Sequence, residues 1–250
     1  MVILKTSREI AKMREAGRIS QRALQAAGKA VEPGVSTYEI DCIVREYIEK
    51  QGASPSFLGY GGFPASACIS VNNVVIHGIP SEHEILRQGD IVSIDVGAYF
   101  EGYHGDNAWT FPCGDISKEA QHLIDTTRES LFEGIKQAVA GNRIGDIGHA
   151  VQEYAEARSY SVVRKFVGHG VGAKLHEDPS VPNYGMSHRG VRLLPGMTIA
   201  IEPMINQGTF KVRIFDDGWT TVTADGKLSA HFEHTIAITS DGAVILTSAD

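Results

Sequence analysis

Residues 90–106 read Asp-Ile-Val-Ser-Ile-Asp-Val-Gly-Ala-Tyr-Phe-Glu-Gly-Tyr-His-Gly-Asp, and this stretch decides the fold. Its first arm, 91–96, is mostly β-branched, and Gly102 supplies turn chemistry, so it predicts a β-hairpin. Alternation puts Ile91, Ser93 and Asp95 on one face, with Val92, Ile94 and Val96 on the other. Asp95 is therefore a carboxylate in a strand that otherwise reads as buried. Asp106 follows in the return arm, just after Gly105. An ionised carboxylate in such a place is too costly to leave unpaired. Two of them on paired strands call for a cation.

Upstream of the hairpin, Thr6-Ser-Arg-Glu9 is a capping box, opening a helix with Ile10, Met13, Ala16, Ile19 and Leu24 at helical spacing. Pro33-Gly34 interrupts it. Ser36-Thr-Tyr-Glu39 starts a second helix, with Ile40, Ile43, Val44, Tyr47 and Ile48 inward and Gly52 as its stop. A loop rich in glycine and aromatics, 57–64, leads to a short strand pair, 67–71 and 74–76, turned at Asn72-Asn73. Downstream, a helix is predicted from Ser117 to about residue 140 and another from near Asp146. The remainder predicts strands at 162–167, 197–203, 209–216, 219–223, 228–233 and 235–238.

A repeat emerges when the halves are aligned. Gly89-Asp-Ile-Val-Ser-Ile-Asp95 matches Gly196-Met-Thr-Ile-Ala-Ile-Glu202: glycine, five strand residues, then an acid. Upstream of each, a histidine stands three residues before a proline, His77 with Pro80 and His176 with Pro179. The expectation is an α+β chain of two pseudo-symmetric halves, antiparallel sheet covered by helices. It would form one domain over residues 1–250, with a cleft where the strand ends meet.

Asp95 and Asp106 thereby gain partners: Glu202 from the second half, Glu233 in the strand-like run 229–234, and His169 between glycines in Gly168-His-Gly-Val-Gly172. Four carboxylates and one imidazole suit two divalent cations. Carboxylate-dominated ligation with a single His and no Cys favours Mn, Fe(II) or Co, with Zn also acceptable. Two such ions roughly 3.5–4 Å apart can serve both sides of a hydrolytic displacement. His83, His104, His122, His149 and His188 lack a comparable setting and read as surface or satisfied polar groups.

These segments resemble the type I methionine aminopeptidases of bacterial kind, over essentially the whole chain. The carrying segments are Cys68-Ile-Ser-Val-Asn, His77-Gly-Ile-Pro, Ile94-Asp95-Val, Gly105-Asp106, Gly168-His169-Gly-Val-Gly, His176-Glu-Asp-Pro, Ile201-Glu202-Pro and Glu233-His-Thr. The resemblance implies the pita-bread fold, whose duplicated halves agree with the repeat. It also implies removal of N-terminal methionine, after deformylation, from nascent proteins whose second residue is small and uncharged. Asp95, Asp106 and Glu233 would hold one metal, and Asp106, His169, Glu202 and Glu233 the other. Glu202 would shuttle the proton, His176 would stabilise the oxyanion, and His77 would contact the leaving group. The methionine pocket would be walled by Phe57, Tyr60, Phe63, Cys68, Leu175 and Trp219. Phe57, Phe63 and Leu175 depart from residues common in the family, yet all remain apolar.

Composition narrows the rest. A net charge of −7 over 250 residues argues against tight nucleic-acid binding. Three scattered cysteines, Cys42, Cys68 and Cys113, make neither a disulfide framework nor a zinc motif. The first residues lack the apolar core of a signal peptide, and no run reaches membrane-spanning length, so a cytoplasmic protein is expected. The family implies a monomer in transient proximity to the ribosome. Xaa-Pro aminopeptidases share the five ligands but usually carry a large N-terminal domain, for which the residues before His77 leave no room. Type II enzymes carry a helical insert that the stretch from His176 to Glu202 cannot hold. A non-catalytic relative would have lost ligands that are all present here.

Overall fold

The computed structural model describes residues 1–249. Helix α1 (Ser7–Lys29) opens on its capping box: the Thr6 N–H donates to Glu9 Oε2 at 2.7 Å, and Thr6 Oγ1 accepts from the Glu9 N–H at 3.4 Å. Ser36 and Glu39 repeat the device at α2 (Thr37–Lys50). A two-residue strand β1 (Ser54–Pro55) and a tight turn at Tyr60–Gly62 precede β2 (Ala67–Val71) and β3 (Val74–Ile76). The hairpin forms as expected from β4 (Ile91–Phe100) and β5 (Tyr103–Pro112). Its turn residues Glu101 and Gly102 have φ of 46° and 90°, the left-handed conformation that matches a two-residue hairpin turn to strand twist.

The second half begins with α3 (Lys118–Gln137) and α4 (Ile144–Glu156), then β6 (Ser161–Val162), β7 (Gly168–Gly170), β8 (Glu177–Val181) and β9 (Thr198–Ile201). It continues with β10 (Met204–Asn206), β11 (Val212–Ile214), β12 (Thr221–Thr223), β13 (Ser229–His231), β14 (His234–Thr239) and β15 (Gly242–Ile245). All strand pairs are antiparallel. In the first sheet β4 pairs with β5 along one edge and with β1 and β2 along the other; the second runs β15-β14-β9-β7-β8.

Each half has its own apolar core. Ile40, Val44 and Ile48 of α2 and Leu24 of α1 pack with Ile69, Val92, Ile94 and Val96 of the first sheet. Leu123 and Leu131 of α3 and Ile147 of α4 pack with Ile199, Ile201 and Ile236 of the second. Trp109 touches both cores. Gly105 of β5 lets α1 lie against the hairpin, because a Cβ there would fall 2.4 Å from the Gly17 nitrogen. At the chain's start, Lys5 is buried: its Nζ pairs with Glu177 Oε2 at 2.5 Å, with the two side chains 3% and 7% exposed.

The halves join along β5. Ala108 and Glu233 exchange both main-chain hydrogen bonds, at 2.9 and 3.4 Å. On either side of that rung a threonine hydroxyl takes over. Thr235 Oγ1 accepts from the Asp106 N–H at 3.1 Å and donates to the Asp106 carbonyl at 2.7 Å. Thr110 Oγ1 does the same for the His231 N–H and carbonyl, at 3.0 and 2.8 Å.

Several expectations are corrected. Strands 67–71 and 74–76 do not pair with each other: Asn72 turns the chain at φ 55°, β2 joins β4, and β3 crosses to pair with β12. The strand expected at 162–167 is only Ser161–Val162, and that at 209–216 only Val212–Ile214. The helix expected to reach about residue 140 ends at Gln137. The glycine-flanked 168–170 forms a strand, β7, paired with a further strand, β8, outside the expected set. His104 is the satisfied polar group that was one of its two readings, half-buried with its Nδ1 2.9 Å from Ser56 Oγ.

Candidate metal centre

Register brings the first three groups together. Cys68 of β2 lies opposite Asp95 of β4, which lies opposite Ala108 of β5. Asp106, two residues before Ala108, shares that face, so Asp95 and Asp106 are diagonal neighbours on paired strands. Glu233 sits opposite Ala108 on the seam between the halves. Glu202 follows Ile201, whose partner is His234, so the ends of β9 and β14 place the two glutamates beside each other. His169 comes from β7, the next strand along.

Ligand-capable atoms of Asp106, His169 and Glu233 all lie within 4.8 Å of one another. His169 Nε2 stands 3.5 Å from Glu202 Oε1 and 3.9 Å from Asp106 Oδ2. The His169 Nδ1 contacts the Gly170 carbonyl at 2.9 Å. A carbonyl only accepts, so Nδ1 carries the proton and Nε2 turns its lone pair toward the acids, as a metal-ligating histidine requires.

The acids share one electrostatic difficulty. Asp106 and Glu233 are 3% and 2% exposed. Asp95 Oδ1, Asp106 Oδ1 and Glu233 Oε1 are buried without a hydrogen-bond partner among the described residues. Burial pushes the Asp106 carboxyl up to about 7. Burial, and then the charge of Asp106, pushes Asp95, Glu202 and Glu233 well above the carboxylate range. Burial and the neighbouring His176 push His169 down to about 3. Acids driven toward neutrality by burial and by one another, with orphaned oxygens and a histidine lone pair lining one cavity, form a donor set that fits divalent cations.

This centre floors a cavity of about 190 Å³. All five expected ligands line it, as do His77, His176 and all six expected pocket residues, Phe57, Tyr60, Phe63, Cys68, Leu175 and Trp219. Phe57, Phe63, Cys68 and Leu175 form one buried cluster with Trp219 at its edge. Burial, with Asp95 next in effect, pushes the Cys68 thiol up, so it packs as a small apolar group. His176 packs against His169 with ring centroids 4.0 Å apart and ring planes 41° apart, and its Nδ1 lies 2.9 Å from the Tyr60 hydroxyl. His77 has φ 59° and meets Phe166 and Trp219 edge-on, with centroids 5.6 and 6.0 Å away. Burial and His176 push His77 down to about 4, so it is neutral.

Sequence reasoning missed Ile76, Phe166 and Val167 in the lining. It also missed His231, buried beside Glu202, with its Nε2 at 3.9 Å from Glu202 Oε2. Strand alternation was the available signal, because His231 and Glu233 are two apart and so share a face.

The sequence matches the model of metallopeptidase family M24 over residues 11–240. It is 53% identical over 247 residues to methionine aminopeptidase 1 of Bacillus subtilis (strain 168), a match covering 99% of each chain. The crystal structure of methionine aminopeptidase from Thermotoga maritima superposes with a TM-score of 0.98 at 46% identity, covering 99% of this chain and 100% of that one. The Xaa-Pro dipeptidase of Bacillus anthracis superposes at 0.80 and 25% identity, with 99% of this chain covered but 62% of that one.

Proposed function

The chain belongs to the methionine aminopeptidases of metallopeptidase family M24, and on that premise we propose how its residues divide the work. Asp95, Asp106 and Glu233 would hold one divalent cation, and Asp106, His169, Glu202 and Glu233 would hold a second. The observation that carries this reading is the closeness of ligand-capable atoms of Asp106, His169 and Glu233, beside buried carboxylate oxygens that have no hydrogen-bond partner among the described residues. Two divalent cations of Mn, Fe(II), Co or Zn would balance the four carboxylates. When bound, such ions polarise a carbonyl and make water a nucleophile near neutral pH.

The chain's own residues supply the rest. Phe57, Phe63, Cys68, Leu175 and Trp219 take the thioether side chain into an apolar cavity, where a flexible, polarisable group packs well. Tyr60 closes its mouth over His176. Glu202, 3.5 Å from His169, takes the proton from the attacking water and delivers it to the leaving amine. His176, held by Tyr60, donates to the carbonyl oxygen as negative charge develops there. His77, fixed between Phe166 and Trp219, faces the leaving nitrogen. The second residue of the substrate is small and uncharged.

Substrates are N-terminal peptides, met as nascent chains by a monomer passing near the ribosome. Among the described residues no helix is long and apolar enough to cross a membrane. The test compares a Met-Ala-Ser peptide with an Xaa-Pro peptide, with and without chelator. Methionine release that stops on chelation is expected; chelator-insensitive release, or preference for the Xaa-Pro peptide, would refute the assignment.

A further inference from the structure

Glu202 is asked both to face a metal and to move a proton, and a carboxylate free to rotate does neither well. One of its oxygens is accounted for: Oε1 lies 3.5 Å from His169 Nε2, on the side of the metal centre. Its main-chain carbonyl is also held, accepting from Asn183 Nδ2 at 3.0 Å. The other oxygen, Oε2, faces the imidazole of His231, with Nε2 at 3.9 Å.

That imidazole has unusual circumstances. The residue is 2% exposed, and Nε2 is buried without a hydrogen-bond partner among the described residues. Buried polar atoms in native proteins almost always have a partner, so an orphaned ring nitrogen aimed at a carboxylate oxygen points to a contact completed during function. Its backbone cannot move to find another, because Thr110 clamps both its N–H and its carbonyl. Pairing in the sheet fixes the approach as well: His231 lies opposite Met204, two residues beyond Glu202. A carboxylate accepts and does not donate, so the only favourable arrangement has the proton on Nε2. The separation exceeds hydrogen-bond length by about 1 Å, a gap that a small rotation of either side chain closes when the site engages its ligands.

We propose that His231 is a positioning residue for Glu202: its Nε2–H donates to Oε2, turning Oε1 toward the metal centre and locking the carboxylate in the pose from which it transfers the proton. This rests on the assignment of Glu202 given above. It differs from ligation, because His231 holds the oxygen that faces away from His169.

The test uses the full chain reloaded with Mn²⁺ and a Met-Ala-Ser peptide. His231→Leu removes the donor, whereas His231→Gln places an amide N–H where Nε2–H stood. Removing a group that orients a metal-site ligand typically costs 10–100-fold in affinity or activity. The leucine variant is expected to lose kcat by about that factor at unchanged KM and unchanged bound Mn²⁺, and the glutamine variant to recover most of it. A second readout needs neither turnover nor a variant of His231. In protein loaded with diamagnetic Zn²⁺, which keeps Glu202 ionised, and labelled with ¹⁵N-histidine, the His231 Nε2 should show a directly bonded proton whose signal moves in Glu202→Gln. Unchanged kcat in His231→Leu, loss of bound Mn²⁺ in it, a glutamine variant as slow as the leucine one, or an unprotonated Nε2 would each overturn the proposal. Failure of the metal-site reading looks different: Asp106→Asn would then keep its metal whatever His231 does.

Discussion

Replacing Asp106 by asparagine should make the metal-free protein more stable, the reverse of what removing a buried charge-bearing residue from a paired site normally does. Burial raises the Asp106 carboxyl from 3.8 to about 7. At 1.36 kcal/mol per pH unit, its ionised form is about 4 kcal/mol costlier in the folded chain than in the unfolded one. Because the folded value is the higher, this group's contribution to stability is fully present below pH 3.8 and is lost as pH rises through about 7. The amide does not titrate. Urea unfolding of chelator-treated protein should therefore show Asp106→Asn gaining on the wild type by about 4 kcal/mol at pH 8, but by only about 2 kcal/mol at pH 5. Any constant offset from the amide cancels in that comparison. Adding Mn²⁺ at about a thousand times its dissociation constant should return about 4 kcal/mol to the wild type and little to the variant. Activity should be absent in the variant throughout. A gap that widens toward pH 5, or a wild type that gains nothing from Mn²⁺, would refute the claim that Asp106 is a strained charge waiting for a cation.

Three further outcomes follow from local geometry. Lys5→Met leaves Glu177 buried with only the Lys174 N–H at 3.2 Å; breaking such a pair costs about 3–5 kcal/mol, or roughly 6–20 °C in Tm for a chain of this size, and a loss below about 1 kcal/mol would show that water replaces the ammonium. Gly78→Ala places a Cβ 2.1 Å from the Ile69 carbonyl oxygen, a backbone atom that cannot yield; moving the adjacent His77 by about 1 Å should lower turnover about 100-fold, with bound metal retained, and normal turnover would mean that His77 is not where the chemistry happens. Tyr60→Phe removes the 2.9 Å contact to His176; a drop of roughly 2- to 10-fold in kcat is expected from one hydrogen bond, and a larger loss would assign Tyr60 a direct part in the reaction.

The hairpin forms as the sequence predicts, and the five residues proposed as ligands line one cavity; they stand out in the sequence because acids in apolar strands, and a histidine between glycines, violate the pattern around them. Other features depended on distant partners. Nothing local distinguishes β3 from a hairpin arm returning to β2, because its partner β12 lies far along the chain. Gly168-His-Gly170 has weak strand propensity and is extended because β8 and β9 flank it. Phe166 and Val167 were taken for strand residues, although the strand stops at Val162 and frees them to line the cavity. His231 carries a fainter signal, its place two residues before Glu233, which under period-two alternation puts both on the same face.

The threonine seam has a consequence for the life of the molecule before it is an enzyme. Thr235 grips both main-chain groups of Asp106 across 129 residues of sequence, so the first half's acids lack their counterpart until nearly all of the chain has been made. At about 5–20 residues per second of synthesis, that delay is roughly 6–26 s. During it, Asp95 and Asp106 face solvent or take up protons, and no metal centre exists to be filled. The site proposed to hold the metals is thus among the last parts of the chain to be assembled. A copy released short of residue 235 would carry the first half's acids and no activity.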